Sequence, residues 1–187
     1  MSMQEKPAMR GLSKWIVLLI DVALFSLAAC TAPTPAPIER PASEGFAIYL
    51  PAQKIAANEM LEANLSDLEL EDKPVLSVDD IVTYSKNTHK IELTPAAYAR
   101  LSQLSVPTTG MPFVVCVDRT PMYGGAFWVG YSSMAFNGIV IDTLPATQNR
   151  PIRIQLGYPE SPELFVGEDR RSDPRILQSL EQAAKLR

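Results

Sequence analysis

Histidine is nearly missing from this chain: among 187 residues there is one, His89. A metal centre needs several convergent ligands. With one histidine and two cysteines, Cys30 and Cys116, no such cluster and no cofactor are expected. Phosphate loops and nucleophile elbows are missing too. "YGGAF" lacks the spacing and the lysine of a phosphate-binding loop, and "GYSSM" around Ser132 and Ser133 is not Gly-x-Ser-x-Gly. Basic charge is in deficit, with 17 Lys and Arg against 21 Asp and Glu. The chain therefore has no electrostatic footprint for nucleic acid. Acidic "DLELED" (67–72) lacks the spacing and glycine turn of a calcium loop, and its alternating leucines predict a half-buried strand. Apolar runs are short, none reaching the roughly 20 residues of a spanning helix.

What is present begins at the N-terminus. Lys6, Arg10 and Lys14 precede an apolar run, Trp15–Ala29, broken once by Asp21. That length suits the apolar core of a signal peptide. It ends in Leu27-Ala28-Ala29-Cys30, which resembles the lipobox of bacterial lipoproteins. The resemblance implies that residues 1–29 are a signal peptide cut between Ala29 and Cys30. It also implies that the Cys30 thiol carries a diacylglyceryl group, with an acyl chain such as palmitate on the new amine. Two acyl chains hold a protein firmly to a bilayer. A plain secretory signal or an uncleaved anchor is the plainer reading of the same residues. Once residues 1–29 are gone, 14 basic residues face 19 acidic ones, so charge would not hold the remainder to anionic lipid. With Cys30 lipidated, Cys116 has no cysteine left to pair with and reads as a small buried hydrophobe in "FVVCV".

Residues 30–43 follow as lipidated cysteine and linker. Four prolines in "TAPTPAPIERPAS" make residues 31–43 an extended, fairly stiff tether. Residues 44–187 form the folded, extracytoplasmic domain. Strands are predicted at "GFAIYLP" (45–51), in a hairpin across 77–94 with His89 in its surface turn, in a second hairpin across 111–129, and at "GIVIDTL" and "IRIQLGY". A short helix is predicted at 56–65. Two helices have clear starts: Thr94 caps with Pro95 at the first position, and Asp173 caps with Pro174. The second carries an apolar stripe running to the C-terminus. The elements add up to an α+β domain.

"YGGAFWVGYSS" (123–133) sets Tyr123, Phe127, Trp128 and Tyr131 around three glycines. Phe127 and Trp128 face opposite ways in a regular strand. Either one of them lies at a surface or the aromatics fill core on both faces. Tyr123, Trp128 and Tyr131 are the candidate binding residues, because exposed aromatics suit recognition. "GEDRRSDPR" (167–175) reads as a solvated, mixed-charge loop, or as a surface for a charged partner.

The run "DDIVTYSKNTHKIELTPAAYARLSQL", then "PFVVCVDRTPMYGGAF", then "FNGIVI" resembles uncharacterised bacterial envelope lipoproteins. It is more faintly similar to the first periplasmic domain of the SecD protein-export subunit. The resemblance covers Val78–Asp142 and implies a mixed or antiparallel sheet with helices on one face, of ferredoxin-like kind. Arg119 departs from it, standing where a glycine turn is expected. No catalytic residue comes with it, and the membrane helices of SecD are missing. The function expected is that of a lipid-anchored envelope protein, non-enzymatic, on the extracytoplasmic face of a membrane, binding a protein or peptide. A hydrolase with paired carboxylates and a structural spacer are the alternatives.

Overall fold

The computed structural model describes residues 44–143 and 151–187. The apolar run, Cys30 and the tether lie outside the described residues. One eight-stranded mixed sheet organises the rest. Its strands are β1 (Phe46–Tyr49), β2 (Leu76–Ser77), β3 (Ile81–Tyr84), β4 (Lys90–Leu93), β5 (Met111–Val117), β6 (Thr120–Trp128), β7 (Phe136–Asp142) and β8 (Ile152–Tyr158). Their order across the sheet is β2-β1-β5-β6-β7-β8-β4-β3. Every neighbouring pair is antiparallel except β6 and β7. The helices are α1 (Pro95–Ser102) and α2 (Pro174–Gln182), both capped as predicted by Thr94 and Asp173. The α+β class therefore holds. The four-stranded βαββαβ plan of a ferredoxin-like domain is not the plan seen.

The connection between β2 and β3 shapes the sheet. These strands are its two edges, yet only Val78–Asp80 lies between them. Seven strand spacings laid flat would separate the edges by about 34 Å. The four Cα steps from Ser77 to Ile81 span at most about 14 Å. The sheet therefore curls until its edges nearly meet, and the rings of Phe46 on β1 and Tyr84 on β3 stand 6.4 Å apart. The link is fixed by Asp80, which accepts from the Ser77 N–H at 2.9 Å and pairs with Arg100 of α1 at 2.6 Å.

Inside the curl lies the main core. It takes Phe46 and Ile48, Phe113 and Val115, and Ile139 and Ile141 from the strands, joined by Ala97, Tyr98 and Leu101 of α1 and Ile176 and Leu180 of α2. Both helices thus sit on one face. The opposite face is covered by residues 55–70, whose Met60, Leu65, Leu68 and Leu70 pack on Tyr49, Val114 and Cys116. Two expectations fail in this cover. Residues 56–65 make short 3₁₀ turns, Glu59–Leu61 and Leu65–Asp67, instead of an α-helix. "DLELED" contributes one isolated bridge, Leu70 to Pro51. Its leucines alternate as read, but its pairing with the chain leaving β1 stops at two backbone hydrogen bonds, Ala52 N–H to Glu69 and Glu71 N–H to Leu50. Burial pushes the Cys116 thiol up to about 11, the state of a packed hydrophobe.

The second hairpin turns on Asp118 and Arg119, both left-handed at φ 50° and 60°. That two-residue turn matches the twist of the strands. Arg119 tolerates a glycine-like position while its guanidinium lies 4.9 Å over the Tyr49 ring. A bulge falls at Met122, between the pairs Val115–Tyr123 and Cys116–Pro121. Gly124 and Gly125 instead allow close approach, since a Cβ on Gly125 would stand 2.6 Å from the Ile139 carbonyl oxygen. The last helix stops at Gln182, short of the predicted end. Ala184 turns left-handed at φ 57°, and the tail runs back beside β3. There Lys185 and Arg187 exchange backbone hydrogen bonds with Tyr84.

Candidate functional site

The three aromatic candidates part company. Trp128 is buried, stacked on Phe136 at 5.2 Å, and cannot meet a partner. Its face of β6 is closed by Ala57, Phe136 and Val140, while Phe127 fills the main core. Of the two readings of this strand, core on both faces is the one seen, and Trp128 drops out of the candidate binding residues. Tyr131 is exposed, at 69%, on a turn whose backbone is held by the Tyr158 hydroxyl, 2.9 Å from the Gly130 carbonyl. Tyr123 is buried at 5% exposure, yet it lines a cleft.

That cleft begins where the parallel ladder stops. β6 and β7 pair at Ala126–Val140, Phe127–Ile141 and Trp128–Asp142 and nowhere else. Both strands continue past those pairs toward Thr120 and Phe136. Between them a slot of ≈ 180 Å³ opens. Met60 and Leu65 reach it from the covering segment, Tyr123 and Ile139 from the strands, and Phe165 and Val166 from the loop before α2. Met60 belongs to the outer cluster and Tyr123 to the inner one, so the slot passes between strands. Glycines make the room: a Cβ on Gly138 would lie 2.4 Å from Leu61, and one on Gly124 would lie 2.8 Å from Met60. The rim is open and mixed: Leu61 is 42% and Val166 64% exposed, beside the charged Glu168 and Arg170. The Tyr123 hydroxyl has no hydrogen-bond partner, and burial drives its pKa well above 10. It is therefore a neutral donor.

A polar network lies near Tyr123, buried at Tyr84 and His89 and exposed at Asp169. The Tyr84 hydroxyl lies 2.9 Å from Nδ1 of His89 and 3.3 Å from the carbonyl of Arg171. Both contacts are met when Nδ1 carries the proton and donates to Tyr84, which in turn donates to the carbonyl. Arg171 grips Asp169 through two 2.8 Å contacts and donates to the Ile154 carbonyl at 2.9 Å. Those bonds hold Asp169 below the usual carboxylate range. For His89 the sequence predicts a surface turn. It follows the turn as read, but φ 51° turns its ring inward, and it is buried. Arg171, within the mixed-charge loop 167–175, ties that loop to β8. The pairs His89–Tyr84 and Arg171–Asp169 are local, but no sequence pattern joins them, because the link between them, Tyr84 to the Arg171 carbonyl, spans 87 residues.

Burial, followed by the Arg171 charge, lowers the pKa of His89 below its usual 6.5. Its folded form stays neutral where the unfolded chain takes up a proton. That stabilising difference is complete above pH 6.5 and is lost as pH falls from 6.5 towards the folded value. The expected slope in that window is up to about 1.4 kcal/mol per pH unit. Urea unfolding across pH 7.5 to 5 should show it, and His89→Asn, which tolerates the left-handed backbone, should flatten it. An unchanged slope in the variant would assign the effect elsewhere.

Neither the slot nor the second cleft beside α2 is lined by two carboxylates or by His89. Among the described residues no three His, Cys, Asp or Glu side chains converge as metal ligands. No described helix is long and apolar enough to cross a membrane. No family model matches the chain, and no curated protein or solved structure does.

Proposed function

We propose that this chain is a lipid-anchored, non-enzymatic binding domain of a bacterial envelope. In this reading Cys30 holds it to the extracytoplasmic face of a membrane, and its slot receives an apolar side chain from an extended protein or peptide. One observation carries the choice of ligand. At ≈ 180 Å³ the slot falls below the roughly 300 Å³ at which small-molecule sites begin. It suits an anchoring side chain of a larger partner, the kind of contact that dominates protein interfaces. Exposed Leu61 and Val166 at its rim would be covered by the same partner. The lipobox-like run Leu27–Cys30 and the prolines of residues 31–43 support the location. A hydrolase needs a base or paired acids at a cleft, and the Nδ1 of His89 is engaged by Tyr84 inside the fold. A spacer needs no slot.

The test places a photo-crosslinking amino acid at Val166 in the intact, lipidated protein, with Val82, exposed on β3, as the control position. A discrete adduct from Val166 that weakens with Leu61→Asp is expected. Equal adducts from both positions, or none from Val166, would overturn the reading.

A further inference from the structure

Exposed apolar side chains gather where the slot beside Tyr123 opens. Leu61 reaches Gly138, and the Val166 N–H donates to the Asn137 carbonyl at 2.9 Å, so both stand over the first residues of β7. Leu164, 51% exposed, immediately precedes Phe165 in the same wall. Apolar side chains exposed together, unlike scattered ones, mark a contact surface.

Charge narrows what comes to it. The covering wall, residues 59–65, carries Glu59 and Glu62 and no base. The facing wall, residues 163–170, carries Glu163, Glu168 and Asp169 against Arg170. Arg170 is already met by Asp173 at 3.2 Å and lies 4.0 Å from Glu168, and Asp169 is held by Arg171. Glu59 accepts only the Ala56 N–H, and among the described residues Glu62 and Glu163 make no side-chain hydrogen bond or ion pair. Carboxylates on both sides of an apolar mouth attract a cationic partner and repel an anionic one. They would equally be repelled by anionic lipid. The lining also holds a donor. Of its two side-chain donors, Arg170 is engaged, whereas the Tyr123 hydroxyl is buried without a partner. A peptide carbonyl is an acceptor of the kind that hydroxyl lacks.

We infer that the occupant of the slot is a basic, extended peptide segment. One apolar side chain enters the slot, lysine or arginine on either side of it meets Glu62 and Glu163, and a carbonyl of the segment accepts from Tyr123. This inference rests on the slot reading and names the chemistry of its partner. The probes are end-capped, fluorophore-labelled pentapeptides: Ser-Lys-Leu-Lys-Ser, Ser-Ser-Leu-Ser-Ser, Ser-Glu-Leu-Glu-Ser and Ser-Lys-Ala-Lys-Ser. Each is titrated by fluorescence anisotropy into the full-length protein in phosphatidylcholine nanodiscs. The lysine-flanked leucine peptide should bind tightest. Serine flanks should weaken it about fivefold, the loss expected for two exposed ion pairs, and glutamate flanks further. The gap should close between roughly 50 and 500 mM salt. Glu62→Gln with Glu163→Gln, both exposed positions, should erase the preference for lysine and leave the serine-flanked peptide unchanged. Tyr123→Phe should weaken all three leucine peptides alike, by about fivefold for one neutral hydrogen bond. Three leucine peptides of equal affinity at low salt, or a lysine preference that survives the double variant, would overturn the inference and leave the slot reading standing. Alanine binding as well as leucine between lysines, or no binding by any peptide at millimolar concentration, would overturn both.

Discussion

Trp128→Ala is expected to destabilise the folded domain by about 4 kcal/mol, in the range for truncating a buried aromatic. The ring is 1% exposed, stacked on Phe136 and 5.7 Å from Tyr158. The glycine opposite, Gly110, cannot close the gap, because its φ of 83° and its fixed turn hold the backbone away. A cavity therefore remains. At about 2–4 °C per kcal/mol for a domain of this size, the thermal midpoint should fall by roughly 10 °C. Trp128→Phe separates packing from polarity. The indole N–H is buried without a partner, so phenylalanine loses some contact but also removes an unsatisfied donor worth about 1–3 kcal/mol. Its net cost should be under about half that of alanine. Thermal unfolding monitored by circular dichroism measures both. A loss below about 1 kcal/mol in the alanine variant would mean that the Trp128 site is not packed as described.

The second large effect is on location. Cys30→Ser should change the mature protein's mass and attachment together, because the thiol is the atom that would take the diacylglyceryl group. Wild-type protein is expected to begin at residue 30 and to carry acyl mass; the serine variant should retain residues 1–29 and carry none. At about 0.8 kcal/mol per buried CH₂, the second chain turns marginal binding into stable anchoring. Replacing residues 1–30 with an ordinary cleavable secretory leader should therefore release the domain from the membrane entirely. Intact mass measurement and fractionation read the two outcomes. Wild-type protein with residues 1–29 in place and no acyl mass would end the proposal.

Much of the architecture is legible in the residues, element by element. Alternation in "PFVVCV" assigns Phe113 and Val115 to one face and Val114 and Cys116 to the other, and those faces belong to the two separate clusters. Thr94-Pro95 and Asp173-Pro174 mark both helix starts because caps are local chemistry. Partnership is not local. Nothing in β6 or β7 announces that they run parallel for three pairs and then diverge, so the slot at Tyr123 could be located only as an aromatic on a strand. The two-residue β2 carries no period at all. Ser179 reads as an ordinary polar helix position, and its burial, against Gly45 at the far end of the domain, has no local signal. Trp128 misleads for the opposite reason: an aromatic beside glycines resembles a surface motif, whereas here the glycines give close-packed elements room.

The tail has a practical meaning for anyone handling this protein. Residues 185–187 occupy the outer side of β3, where an unprotected strand would offer its amides to a second molecule. A purification tag fused after Arg187 would hang from that guard, and trimming three residues would strip it. Labels placed there would invite oligomers that owe nothing to biology.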